Sequence, residues 1–222
     1  MQGQEYQPRT IEDRLREEYE NILPDMRKVV DELETEVNHC LLPLKRTLAD
    51  HEQVVVTSRI KACERAIDAL ERRQEGNVFD YDRAGEYSLL HLRDLAGVRV
   101  LVFPRHRIEE VKLALQSRFP DWEDDPIRDE ENGKKILAHK FYGHCEASAQ
   151  VCAEYQIVPM LLGLFWQVEH DTIYKPTSPE LLAIARSPEM ANRTSAVIIA
   201  LEQFAAEFDL KVHEQRTRVG NE

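Results

Sequence analysis

Apolar residues recur at steps of three and four from Ile11 through Leu15, Tyr19, Ile22, Met26, Val29, Leu33, Val37, Leu41 and Leu44 to Leu48. That spacing lines up one face of an α-helix. The stretch predicts an amphipathic helix or helix pair with a solvated charged face. Pro24 and Pro43 are the expected kinks or breaks, because proline lacks the amide that an internal helical turn uses. The period then changes. "HEQVVVTSRIK" carries three consecutive valines and a threonine, which favour a strand, and "ACERAIDALERR" returns to helical spacing at Cys63, Ile67 and Leu70. Arg59 and Lys61 therefore fall near a strand-to-helix junction. "QEGNVFDYDRAGEYS" is polar and turn-rich and reads as a mobile connection. "GVRVLVF", ended by Pro104, is a second strand, and Ile108, Val111, Leu115 and Phe119 mark the next helix.

Beyond it, "PDWEDDPIRDEENGKK" reads as a charged loop with a tight turn at Asn132-Gly133. "ILAHKFYGH" and "SAQVCAEYQIVP" read as two strands. The second alternates Val151, Ala153, Tyr155 and Ile157 on one face with Cys152, Glu154, Gln156 and Val158 on the other. A helix from about Met160 to Ile173 follows, its "MLLGLFW" stripe expected in the core, and "YKPTSP" ends it. One more amphipathic helix places Val197, Leu201, Phe204 and Phe208 on a single stripe. Strands alternating with helices indicate an α/β fold.

At 222 residues the chain suffices for one substantial α/β core with helical additions, and 42% hydrophobic with 32% charged residues is the balance of an ordinary globular protein. The longest apolar run, Met160 to Trp166, is far below the ~20 residues that cross a bilayer, and "MQGQEYQPRT" has no apolar signal core, so the expected location is cytoplasmic, without a membrane contact. Cysteines 40, 63, 145 and 152 show no CxxC spacing and are expected as free thiols. A net charge of −12 argues against a broad grip on nucleic acid, which depends on Lys and Arg. Any phosphate site must be local.

One group of residues has the chemistry for such a site. Two carboxylates on strands, Asp94 and Glu154, are accompanied by Arg59, Lys61, Arg99 and Lys140. Paired carboxylates suit Mg²⁺, which takes oxygen ligands and bridges to phosphates, while Arg and Lys neutralise the phosphates themselves. The set suits nucleotidyl or phosphoryl transfer, although charges at strand ends are commonly only solvated.

"SRIK" at 58 to 61, "RDLAGVRV" at 93 to 100, "EYQIV" at 154 to 158 and "FWQVEHDTIYKP" at 165 to 176 resemble, in order and spacing, the four blocks of the RelA/SpoT alarmone-synthetase domain. The resemblance implies a nucleotidyltransferase-like mixed β-sheet flanked by helices over residues 51–176. Helical regions would precede it at 1–50 and follow it at 177–222. It implies an enzyme that moves pyrophosphate from ATP to the ribose 3′-hydroxyl of GDP or GTP, with Mg²⁺ as cofactor. Carried over by position, Asp94 would bind the metal, and Glu154 would help hold it and activate the attacking hydroxyl. Arg59, Lys61 and Arg99 would contact ATP and its phosphates. Lys140, Tyr142, His144, Gln156, His170, Tyr174 and Lys175 would lie around the acceptor.

The chain departs from the family pattern at "GHCEAS", where His144 stands in the position of a tyrosine that stacks on guanine and Ser148 in that of a histidine. Tyr142 shares the strand face of His144, so either ring is a candidate stacking wall. The basic residue common after the "SRIK" block is Ala69 here, and the eleven residues from Gly143 to Glu154 make a short hairpin. Acceptor identity stays open: pyrophosphate transfer to a tRNA 3′ end and a catalytically degenerate nucleotide-binding regulator are the alternatives. The pair His170-Asp171 also fits an HD phosphohydrolase, but the N-terminal helices offer only His39 and His51, without an adjacent aspartate. Long amphipathic terminal helices fit self-association or an antitoxin-like protein partner.

Overall fold

The structure, a computed structural model, describes residues 10–129, 133, 135–169, 180, 183–184 and 187–219. Helix α1 (Ile11–Lys45) opens with a capping box in which the Thr10 side chain accepts from the Asp13 amide at 3.1 Å and the Asp13 carboxylate accepts from the Thr10 amide. The apolar face read from the sequence is buried from Ile11 to Leu41. Pro24 and Pro43 do not break it: one 35-residue helix runs through both. Ten buried side chains along its length outweigh the local cost of two missing amide donors.

β1 (Gln53–Ile60), α2 (Cys63–Glu71), β2 (Ala96–Phe103) and α3 (Ile108–Arg118) follow. Two short strands come next, β3 (Glu123–Asp124) and β4 (Ile127–Arg128), then the hairpin β5 (Ile136–Cys145) and β6 (Ser148–Pro159), α4 (Met160–Glu169) and α5 (Pro188–Val219). The sheet order is β1-β2-β6-β5-β3, with β4 pairing β5. Only the β2–β6 pair is parallel, so the sheet is mixed. α1 and α3 pack on one face against Val98, Val100, Val102, Phe141, Tyr155 and Ile157. On the opposite face α4 lies over Leu101 and Val158; a Cβ at Gly163 would meet Leu101 Cδ2 at 2.4 Å, so glycine permits the close seat.

Four further expectations change. The turn-rich stretch after α2 is packed rather than loose: Phe79 and Tyr87 are buried with ring centroids 4.9 Å apart, and the Tyr87 hydroxyl accepts from the Asp80 amide. The charged loop after α3 contributes β3 and β4, because backbone pairing with β5 is available to its polar residues; Asn132 lies outside the described residues. In "MLLGLFW" only Leu162 and Gly163 are buried, and Leu164 is exposed, since α4 touches the sheet along one narrow line. On α5, Val197 and Phe204 are exposed while Ala205 is buried. That helix is held by Glu202 to Arg105 and Lys135, by Asp209 to His106, and by Phe208 against Phe103. The four cysteines are free, and no helix among the described residues is long and apolar enough to cross a membrane.

Candidate active site

Register puts the charged residues on the sheet face opposite α1. Arg59 lies beside Gly97, Gly97 beside Glu154, Glu154 beside Tyr142 and Tyr142 beside Glu123, one row across five strands. Two positions along, Thr57, Arg99, Gln156 and Lys140 form a second row. Side chains alternate along a strand, so both rows project to one side. The third row, Val55, Leu101 and Val158, is apolar; α4 covers Leu101 and Val158, while Val55 at the outer strand is exposed. The site therefore begins where the cover of α4 ends.

Glu154 is 4% exposed at its side chain. Its Oε1 accepts from Gln156 Nε2 at 2.6 Å and from Arg59 Nη2 at 3.4 Å, and Tyr142 is its partner across the β5–β6 ladder. Burial, then the nearby Glu154 charge, pushes the Tyr142 phenol well above its ordinary range. Gln156 Oε1 accepts from Arg99 Nε at 3.0 Å, so one amide spans the carboxylate and the guanidinium. Burial and the neighbouring Arg59 lower the Arg99 pKa, opposed by Glu154.

Asp94 immediately precedes the turn into β2 and faces Lys61, whose Nζ donates to Oδ2 at 2.5 Å. Lys61 is fixed by its amide bonding to the Leu95 carbonyl at 2.8 Å and by its own carbonyl accepting from Tyr19 Oη at 3.0 Å. Burial raises the Asp94 pKa, but Lys61, Arg73 and Arg59 together outweigh it and hold the carboxyl below its usual range. Its other oxygen, Oδ1, is buried without a hydrogen-bond partner. Arg59, which bonds to Glu154, also helps to lower the Asp94 pKa, so the two carboxylates share a cationic neighbour; an orphaned carboxylate oxygen in such a cluster suits a hard cation with water or phosphate completing its shell. Gly97 is required by close approach: a Cβ there would stand 2.8 Å from the Glu154 carbonyl oxygen.

The structure thus brings together Arg59, Lys61, Asp94, Arg99, Glu154 and Gln156, with Lys140 and Tyr142 on the same face. His144 is exposed opposite Cys152, and His170, Tyr174 and Lys175 lie outside the described residues. Sequence reasoning missed Arg73, just past α2, and Arg93, whose guanidinium lies 4.2 Å over the Tyr142 ring. Its place beside Asp94 was the available signal; the stack depends on a strand 49 positions away.

A mixed sheet with helices on both faces and a carboxylate–cation cluster where strands leave one covering helix defines the class of fold. No protein-family model matches the chain, and no curated protein does. Solved structures do. The small alarmone synthetase 1 of Bacillus subtilis is 19% identical with a TM-score of 0.62, over 89% of this chain and 99% of that one. Its form bound to AMPCPP matches at 18% and 0.60, over 88% and 99%, and its form bound to the product pppGpp at 18% and 0.53, over 86% and 99%. A GTP pyrophosphokinase family protein from Streptococcus pneumoniae is 23% identical with a TM-score of 0.61, over 86% and 91%. The chain has the small alarmone synthetase fold.

Proposed function

We propose that the chain transfers pyrophosphate from ATP to the ribose 3′-hydroxyl of GDP or GTP, forming (p)ppGpp and AMP. The observation that carries this reading is the linked set Arg59–Glu154–Gln156–Arg99 beside the Lys61–Asp94 pair, on the open face of the sheet. The nucleotides bound to the Bacillus subtilis protein, AMPCPP and pppGpp, support the substrate class.

In this reading Lys61, Arg59 and Arg99 hold the ATP phosphates. Arg59 touches Glu154 only at 3.4 Å and is 47% exposed, so it can turn to a phosphate at small cost. Glu154, oriented by Gln156, takes the proton of the 3′-hydroxyl. The oxygen then attacks the β-phosphorus, the bond to the bridging α–β oxygen breaks, and AMP leaves. Positioning and charge neutralisation supply most of the acceleration. Asp94, through Oδ1, and Glu154 would hold Mg²⁺, which supplies further neutralisation of the phosphate oxygens when bound.

The test is product analysis with labelled ATP, Mg²⁺ and separate GDP, GTP, AMP and bulk tRNA. Label in GDP or GTP is expected. Label in tRNA alone would move the acceptor to the tRNA 3′ end, and label in none would leave a nucleotide-binding protein without transferase activity.

A further inference from the structure

Tyr142 is poorly placed to be an open stacking wall. It is paired with Glu154 across the β5–β6 ladder, and one ring face carries the Arg93 guanidinium at 4.2 Å. Arg93 is itself fixed from other directions. Nη1 and Nη2 donate to the two oxygens of Glu123 at 3.1 and 2.6 Å. Glu123 is the residue beside Tyr142 on β3, so the fork, the ring and the carboxylate brace one another across two strands. A guanidinium bonded at its edge and covered on one face keeps a planar surface for one more ring, and 40% of the Arg93 side chain is exposed. On the other face of the sheet Trp122 packs on Gly143 and Tyr155, so it takes no part in this layer.

We infer that Arg93 is the platform on which the acceptor base stacks, with Tyr142 beneath it and His144 outside the contact. This rests on the proposed transferase reading for the identity of its ligand, a purine nucleoside diphosphate. The location fits the chemistry. Arg93 is covalently adjacent to Asp94, and Tyr142 is paired with Glu154 across the β5–β6 ladder, so a base on Arg93 brings its own ribose toward the two carboxylates. Arginine planes hold bases by stacking, and the bidentate pair with Glu123 fixes the guanidinium edge toward β3, which leaves its face to meet the base.

The test is calorimetric binding of GDP and, separately, AMPCPP to the wild type, Arg93→Ala and Arg93→Lys, with thermal melts of all three. GDP should weaken roughly 5- to 150-fold in both variants, with AMPCPP binding unchanged within about twofold. Lysine keeps the charge opposite Glu123 but has no plane, so it separates stacking from electrostatics and decides the matter if the alanine variant melts early. The inference is overturned if Arg93→Lys binds GDP as the wild type does, if both nucleotides weaken equally, or if the wild type binds no GDP. Selective GDP loss together with a wild type that transfers nothing would sustain the platform and sink the transferase reading.

Discussion

Replacing Glu154 by glutamine isolates charge from shape. The side chain is 4% exposed, and the amide has nearly the same volume, so packing is preserved. Gln156 and Arg59 both donate to Oε1, so a glutamine with its oxygen there keeps both donors but loses the charge that strengthens them. A hydrogen bond to a charged group is worth about 1.5–3 kcal/mol. The Arg59 contact is long and half-exposed and adds little. Removing a buried charge returns part of the loss, leaving a net destabilisation of about 1–2 kcal/mol, or roughly 2–8 °C in Tm for a chain of this size. Turnover should fall far more, about 10²- to 10⁴-fold, the range for loss of a general base, while ATP affinity stays within about twofold. Steady-state kinetics with both substrates varied, beside a thermal melt, measures all three quantities. A kcat within about threefold of wild type would refute the role of Glu154 as the base; a folded variant losing ATP affinity and turnover together would place it in ATP binding instead.

Gly97→Ala should cost about 1–3 kcal/mol, because its Cβ meets backbone rather than a movable side chain, and turnover should drop as β6 shifts under Glu154; an unchanged melt would contradict this. Arg107→Ala should cost about 3 kcal/mol, since Glu52, fully buried at its side chain, accepts from Arg107 at 2.7 Å; a denaturant-melt loss under about 0.5 kcal/mol would show that the carboxylate is held by its other neighbours. Burial, with the Glu32 charge second, pushes the Cys145 thiol up to about 12. The folded protein keeps this proton where the unfolded chain loses it, so stability should fall as pH rises from about 9 toward 12, by about 1 kcal/mol per pH unit, and flatten in Cys145→Ala; equal slopes in the two proteins would refute the assignment.

The elements with strong periods were readable in the sequence. The apolar positions of α1, the valines of β1 and β2 and the alternation in β6 each name a buried face, because burial acts on single residues at fixed spacing. What escaped depends on partners distant in sequence. Pro24 and Pro43 stay helical because tertiary packing overrides a local penalty. β3 and β4 are two residues each and exist only by pairing with β5. "MLLGLFW" is apolar all round, so its pattern could not say that one line alone, at Leu162 and Gly163, would meet the sheet. The meeting of Arg59, Lys61, Asp94, Arg99 and Glu154 came from block order and not from periodicity, whereas Gln156 as the bridge and Arg93 on Tyr142 are consequences of register.

The most direct measurement is ³¹P NMR of the purified protein with ATP, GDP and Mg²⁺. Disappearance of ATP should be matched one for one by AMP and by a new coupled pair of 3′-pyrophosphate resonances on the guanosine nucleotide, with neither change in Glu154→Gln over the same period. ADP and inorganic phosphate in place of AMP, or consumption of ATP that ignores GDP, would contradict pyrophosphate transfer at this site.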